Sequence, residues 1–114
     1  MITGAPRQLC RIEEIADPGA REFEINLDGE KLEIFVIHWH GDWYAYKNDC
    51  PHTGVNLNWL PDQFFDIEHR FIQCSTHGAL FAPESGHCVR GPCAGESLQQ
   101  LECVVNNGIV YVQC

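Results

Sequence analysis

Two short stretches, CPHTG at residues 50–54 and CSTHG at 74–78, constrain this chain more than anything else in it. Each brings a cysteine and a histidine close together, two residues apart in the first and three in the second, and 21 residues separate His52 from Cys74. Thiolate sulfur and neutral imidazole nitrogen are the side-chain donors that iron, zinc and copper prefer. A short turn within each pair directs both donors toward one point, and the glycine that follows, Gly54 or Gly78, lets backbone pass close by. Cys50, His52, Cys74 and His77 are therefore candidate ligands of one metal centre. Four such ligands suit a tetrahedral zinc site, or they divide between the two irons of a [2Fe–2S] cluster, cysteines on one iron and histidines on the other. Zinc fingers with two cysteines and two histidines place both cysteines first and carry the histidines on a helix. Here the order is Cys, His, Cys, His and no helical pattern follows, which favours iron–sulfur.

The sequence around these pairs reads as β-structure. The segment REFEINLDGEKLEIFVIHWHGDWYAYKN alternates apolar and polar residues with a period near two. Asp28-Gly29 suits a hairpin turn with positive backbone angles, and Gly41-Asp42 one with glycine first, so a meander of three strands is expected. QLCRIEEI before it is a further strand, ended by Asp17-Pro18-Gly19, and SLQQLECVV, the turn NNG at 106–108 and IVYVQC form a closing hairpin. Residues 48–95 differ: Pro51, Pro61, Pro83 and Pro92, with Gly54, Gly78, Gly86, Gly91 and Gly95, make them loop-dominated. Only FIQC at 71–74 and LFAP at 80–83 look like strands there. The expected architecture is all-β, a small antiparallel β-sandwich or barrel forming one domain over residues 1–114, with a loop-rich unit at about 48–95 inserted into it.

Composition excludes several classes. At 114 residues, 45% hydrophobic and 20% charged, the chain is an ordinary globular domain. Its longest aliphatic–aromatic run, IFVI at 34–37, falls far short of the roughly 20 apolar residues of a membrane span. No basic region followed by an apolar stretch opens the sequence, so no secretory signal is read and a cytoplasmic location is expected. The net charge of -9 is spread as -4 over residues 1–47, -3 over 48–95 and -2 over 96–114. No segment is basic, which argues against nucleic acid or an anionic membrane surface and for a positively charged protein surface as partner. Seven cysteines, an odd number, do not form a disulfide framework in such a setting. Cys10, Cys88, Cys93, Cys103 and Cys114 read mostly as small apolar residues, and Cys88 with Cys93 is the pair to check for a redox-dependent bridge. Of the other histidines, His38 and His40 share one strand face and should face solvent; His69 and His87 read as surface residues. Trp39, Trp43 and Trp59 read as packing groups in the core or at its rim.

Taken together, CPHTG, CSTHG, the lead-in WYAYKNDCPH and the following ALFAPESGHCVRGPCAGESLQQLECVVNNGIVYV resemble the Rieske-type [2Fe–2S] proteins over roughly residues 30–113. The gap from His52 to Cys74 is longer than in the commonest members, with NWLPDQFFDIEHR as an enlarged excursion. The resemblance implies a [2Fe–2S] cluster with Cys50 and Cys74 on one iron and His52 and His77 on the other. Two neutral imidazoles in place of two anionic thiolates leave such a cluster less negative, so it accepts an electron more readily than an all-cysteine one. The histidine end should sit near the surface and serve as the exit for electrons. The resemblance further implies a soluble, ferredoxin-like one-electron carrier between a reductase and a terminal oxidoreductase, with a redox protein as partner and no catalytic activity of its own. No dinucleotide fingerprint is present. The alternatives are a small Rieske subunit of an oxygenase or nitrite reductase complex, and a structural zinc protein.

High-potential members of that family join the two cluster loops by a disulfide and donate hydroxyl hydrogen bonds to the cluster sulfurs. The matching positions here hold Val55 and Thr76 in place of the cysteines, and Ala79 and Phe81 in place of the serine and tyrosine donors. A low-potential site is therefore expected. Phe81→Tyr or Ala79→Ser should raise the midpoint potential, measured by redox titration; a folded double variant with an unchanged potential would contradict this account.

Overall fold

The computed structural model describes residues 7–27, 29–48, 57, 64–66, 68, 70–74, 78–91 and 95–113. Strands β1 (Arg7–Arg11), β2 (Gly19–Leu27), β3 (Glu30–Trp39), β4 (Asp42–Lys47), β8 (Gln100–Asn106) and β9 (Ile109–Gln113) form one antiparallel sheet in the order β1-β9-β8-β4-β3-β2. Strands β5 (Ile72–Gln73), β6 (Leu80–Phe81) and β7 (Cys88–Arg90) form a second, three-stranded sheet whose sequence lies between β4 and β8. The six-stranded sheet curls into a nearly closed barrel. Cys10 of β1 and Ile25 of β2, from its two edge strands, bury into the same interior as Ile34, Val36, Ala45, Val110 and Val112. Arg21 of β2 closes the gap from outside, its guanidinium 2.6 Å from the Glu14 carboxylate beyond β1.

β3 joins the two sheets. Ile34, Phe35, Val36 and Ile37 are all 0% exposed, so this strand is covered on both faces. Side chains alternate across a strand. Ile34 and Val36 point into the barrel interior, whereas Phe35 and Ile37 enter a second core with Tyr46 of β4 and with Leu57, Phe64, Ile72, Cys74, Ala79, Phe81, Cys88 and Leu98. In the small sheet, Ile72 pairs with Phe81 and Phe81 with Cys88, which puts three buried side chains in a row on the face toward Phe35. Phe64 stacks on Phe35 at 4.2 Å and 9°.

The three-strand meander and the closing hairpin form as the alternation implies. Four local features differ from expectation. β1 ends at Arg11, because the Glu14 carboxylate accepts the Arg11 backbone N–H at 2.9 Å and turns residues 12–14 into a single 3-10 turn. The β3–β4 turn is His40-Gly41, not Gly41-Asp42; both residues have positive φ (52° and 82°), and the Asp17 carboxylate accepts both of their backbone N–H groups at 3.0 and 2.7 Å. β7 lies where no strand was expected, between Gly86 and Gly91. His38 and His40 do not share a role: His40 is exposed in the turn, while His38 is partly buried, stacked on Trp43 at 3.9 Å, with Nδ1 3.1 Å from the Ile15 carbonyl. No helix among the described residues is long and apolar enough to cross a membrane.

Gly86 is the tightest point between the sheets. Its φ is +74°, and a Cβ there would lie 2.7 Å from Tyr46 Cε1 and 3.2 Å from Leu98 Cβ. Gly29 has a similar φ of +84° but open space around it. Gly86→Ala should therefore lower unfolding free energy by about 2–4 kcal/mol and Gly29→Ala by about 1 kcal/mol, measured by urea denaturation of the two variants.

Candidate metal centre

Of the four candidate ligands, the structure describes Cys74; Cys50, His52 and His77 lie outside the described residues. Cys74 follows β5 directly and is 0% exposed, at the edge of the core beneath the small sheet. Its backbone N–H donates to the Ala79 carbonyl at 2.9 Å, and the Gly78 N–H donates back to the Cys74 carbonyl at 2.8 Å. The ends of the CSTHG segment are thus locked together by backbone hydrogen bonds, with Gly78 in the left-handed region at φ +70°.

Beneath this turn the packing leaves no slack. Ala79 is 0% exposed, and a Cβ on Gly91, whose φ is +114°, would lie 2.8 Å from Ala79 Cα and 3.0 Å from its Cβ. The glycine of the GP pair therefore lets the chain leaving β7 press against the root of the CSTHG turn. Phe81, the next residue but one, is also 0% exposed and carries no hydroxyl.

The described residues that flank the CPHTG segment, Asn48 and Leu57, are held in a different way. Lys47 and Asn48, at the end of β4, donate backbone N–H groups to Gln99 and Glu33 carbonyls, each at 2.9 Å. Asn48 is 5% exposed and is the only buried polar residue among those described. Its side-chain Oδ1 accepts the Leu57 backbone N–H at 2.8 Å. Nearby, the Tyr46 hydroxyl donates to the Pro83 carbonyl at 2.5 Å, fastening β4 to the turn that follows β6. Burial, with smaller contributions from Tyr44 and Glu84, raises the pKa of that hydroxyl well above the ordinary tyrosine value, so it remains a donor at any physiological pH.

The enlarged excursion ends in a compact hairpin. Asp66 and Gln73 donate backbone N–H groups to the Phe71 and Phe64 carbonyls, and the Asp66 Oδ1 accepts from Arg70 and Phe71 N–H at 2.8 and 3.0 Å. Trp39 stacks on His40 and, with Phe71, Pro83 and Glu84, lines an open groove; Trp43 packs against the barrel interior. Trp59 and His69 lie outside the described residues, and His87 is exposed, its Nδ1 3.3 Å from Ser97 Oγ. Cys88 is buried with its Sγ 3.3 Å from the Arg90 carbonyl, while Cys93, the other cysteine of the pair to check for a bridge, lies outside the described residues. Sequence reasoning passed over Asn48, Tyr46, Gly86 and Gly91 as parts of this frame. The readable signal was a polar amide two residues before the first cysteine and two glycines bracketing the four residues HCVR.

Comparison with known proteins agrees with this geometry. Residues 6–106 match the Rieske [2Fe-2S] domain, and the chain belongs to that family. It is 26% identical over 104 residues to the 3-phenylpropionate/cinnamic acid dioxygenase ferredoxin subunit of Photorhabdus laumondii, covering 91% of this chain and 90% of that one. Its fold is similar to that of the ferredoxin of carbazole 1,9a-dioxygenase from Nocardioides aromaticivorans, with a TM-score of 0.73 at 21% identity over 96% of this chain and 97% of that one. A nitrite reductase small subunit from Mycobacterium tuberculosis, described as putative and NADH-dependent, aligns with a TM-score of 0.70 at 19% identity over 100% of this chain and 97% of that one.

The residues present fit the [2Fe–2S] cluster that defines the family. The donor set offers two sulfurs and two imidazole nitrogens, and Cys74 sits buried at the base of a turn closed by backbone bonds. Gly91→Ala should disturb that base. It should cost about 2 kcal/mol or more in unfolding free energy, and the purified variant should hold less iron per chain than the parent, read by colorimetric iron assay.

Proposed function

We propose that this chain is a soluble one-electron carrier, with Cys50 and Cys74 as the thiolate ligands and His52 and His77 as the imidazole ligands of its cluster. When bound, a [2Fe–2S] cluster so ligated takes up and returns a single electron. The chain's own residues do the rest. Cys74 is held in an apolar core and tied by backbone bonds to Gly78 and Ala79, and Tyr46 and Gly86 pack the small sheet closely against β3 and β4. Such a frame holds Cys74 in place in both oxidation states, which limits the reorganisation that electron transfer requires.

The observation that carries this reading is the alignment with a dioxygenase ferredoxin subunit across nine-tenths of both chains, 91% and 90%. It supports a redox protein of the reductase or oxygenase type as partner. The net charge of -9 supports a basic docking face on that partner. A cytoplasmic location belongs to the same proposal, as does a low potential, which the buried Ala79 and Phe81 support by placing no hydroxyl where family donors stand. The likeness of fold to the nitrite reductase small subunit favours, as second reading, a permanent subunit of an enzyme complex.

Anaerobically purified protein should contain two irons and two inorganic sulfides per chain and give a rhombic paramagnetic signal after reduction. Cys74→Ala should abolish both, while Cys10→Ala and Cys103→Ala retain them. Zinc in place of iron, or a colourless protein without sulfide, would refute the assignment. Co-purification of a larger chain at fixed stoichiometry would decide for the subunit reading.

A further inference from the structure

The most consequential side chain outside the ligand set is Asn48. Its backbone extends the β3–β4 ladder one step past Lys47, through the bond from Asn48 N–H to the Glu33 carbonyl at 2.9 Å. From that fixed position its side-chain oxygen reaches ahead and accepts the Leu57 N–H at 2.8 Å. Leu57 is 0% exposed, and its side chain packs in the core that also holds Phe64 and Cys74. The eight residues between these two anchors, 49–56, carry Cys50 and His52. Fully extended, a segment of that length would separate its ends by up to about 27 Å; here one amide carbonyl holds the ends at hydrogen-bond distance.

We propose that Asn48 is a positioning residue for the cluster: its bond to Leu57 ties the two anchors that flank residues 49–56, where Cys50 and His52 stand in the sequence, to the core that holds Cys74. This rests on the ligand assignment proposed above. The chemistry favours an amide in this role. The Leu57 N–H is buried, and without an acceptor it would carry the full cost of desolvation. A neutral carbonyl accepts it without placing a charge in the core. The bond also joins the end of β4 to a residue packed in the core that holds Cys74.

The test compares three full-length variants with the parent, each reconstituted anaerobically and challenged with an iron chelator well below its melting temperature. The readouts are loss of visible absorbance and the g values of the reduced state. Asn48→Leu, similar in volume but lacking the acceptor, should lose its cluster about 10-fold or more faster and show shifted g values. Asn48→Ser, which keeps a neutral hydroxyl acceptor, should lose it more slowly than Asn48→Leu. Val110→Ala, a cavity in the barrel interior away from the loop, lowers stability without touching the clamp and should leave release rate and g values as in the parent. If Asn48→Leu matches the parent, or if Val110→Ala accelerates release as much as Asn48→Leu does, the positioning role is overturned while the ligand assignment stands. A parent chain that takes up neither iron nor sulfide overturns both.

Discussion

The burial of β3 on both faces is the constraint from which the rest of the structure follows. Four consecutive residues, Ile34 to Ile37, are each fully excluded from solvent, and each is worth about 1.5–3 kcal/mol in transfer free energy. Half of that gain requires the barrel to curl around Ile34 and Val36. The other half requires something to cover Phe35 and Ile37. The small sheet and the excursion supply the cover, with Phe64 stacked on Phe35 and Ile72, Phe81 and Cys88 in a row beside it. Cys74, and Leu57 beyond the first candidate pair, are thus part of the cover that β3 demands.

Polar groups at this junction are neutral and satisfied. The Tyr46 hydroxyl, raised far above its usual pKa by burial, donates to Pro83, and Asn48 serves as acceptor for Leu57. Charges stay at the periphery, as in the Arg21–Glu14 pair that closes the barrel seam and the Asp17 carboxylate that caps the His40-Gly41 turn. Among the described residues, no charged side chain is buried.

Much of this was legible from residue order. The alternation in residues 21–48 and the turn residues at 28–29 and 107–108 located the meander and the closing hairpin, because period-two patterning reports directly which side chains face a core. The paired Cys–His motifs pointed to a metal centre through donor chemistry, and their order favoured iron–sulfur over zinc. The misses have different causes. The His40 position in its turn depends on a partner distant in sequence, the Asp17 carboxylate, whereas the 3-10 turn after β1 rests on the local Glu14 carboxylate and the strand Cys88–Arg90 on pairing with the nearby Leu80 and Phe81. The unbroken run IFVI was visible, but the coverage of β3 on both faces was not read from it.

What the sequence by itself determined was chemistry and local form: the donor atoms, the β-character, the turn sites and the acidic surface. These are properties of neighbouring residues and need no knowledge of where the chain goes. The tertiary structure decided which surfaces meet. Only folding sets Gly86 beneath the Tyr46 ring, Gly91 against Ala79, and the Asn48 amide at the Leu57 N–H, since each is a contact between segments whose approach is dictated by close packing and by the need to satisfy every buried polar group.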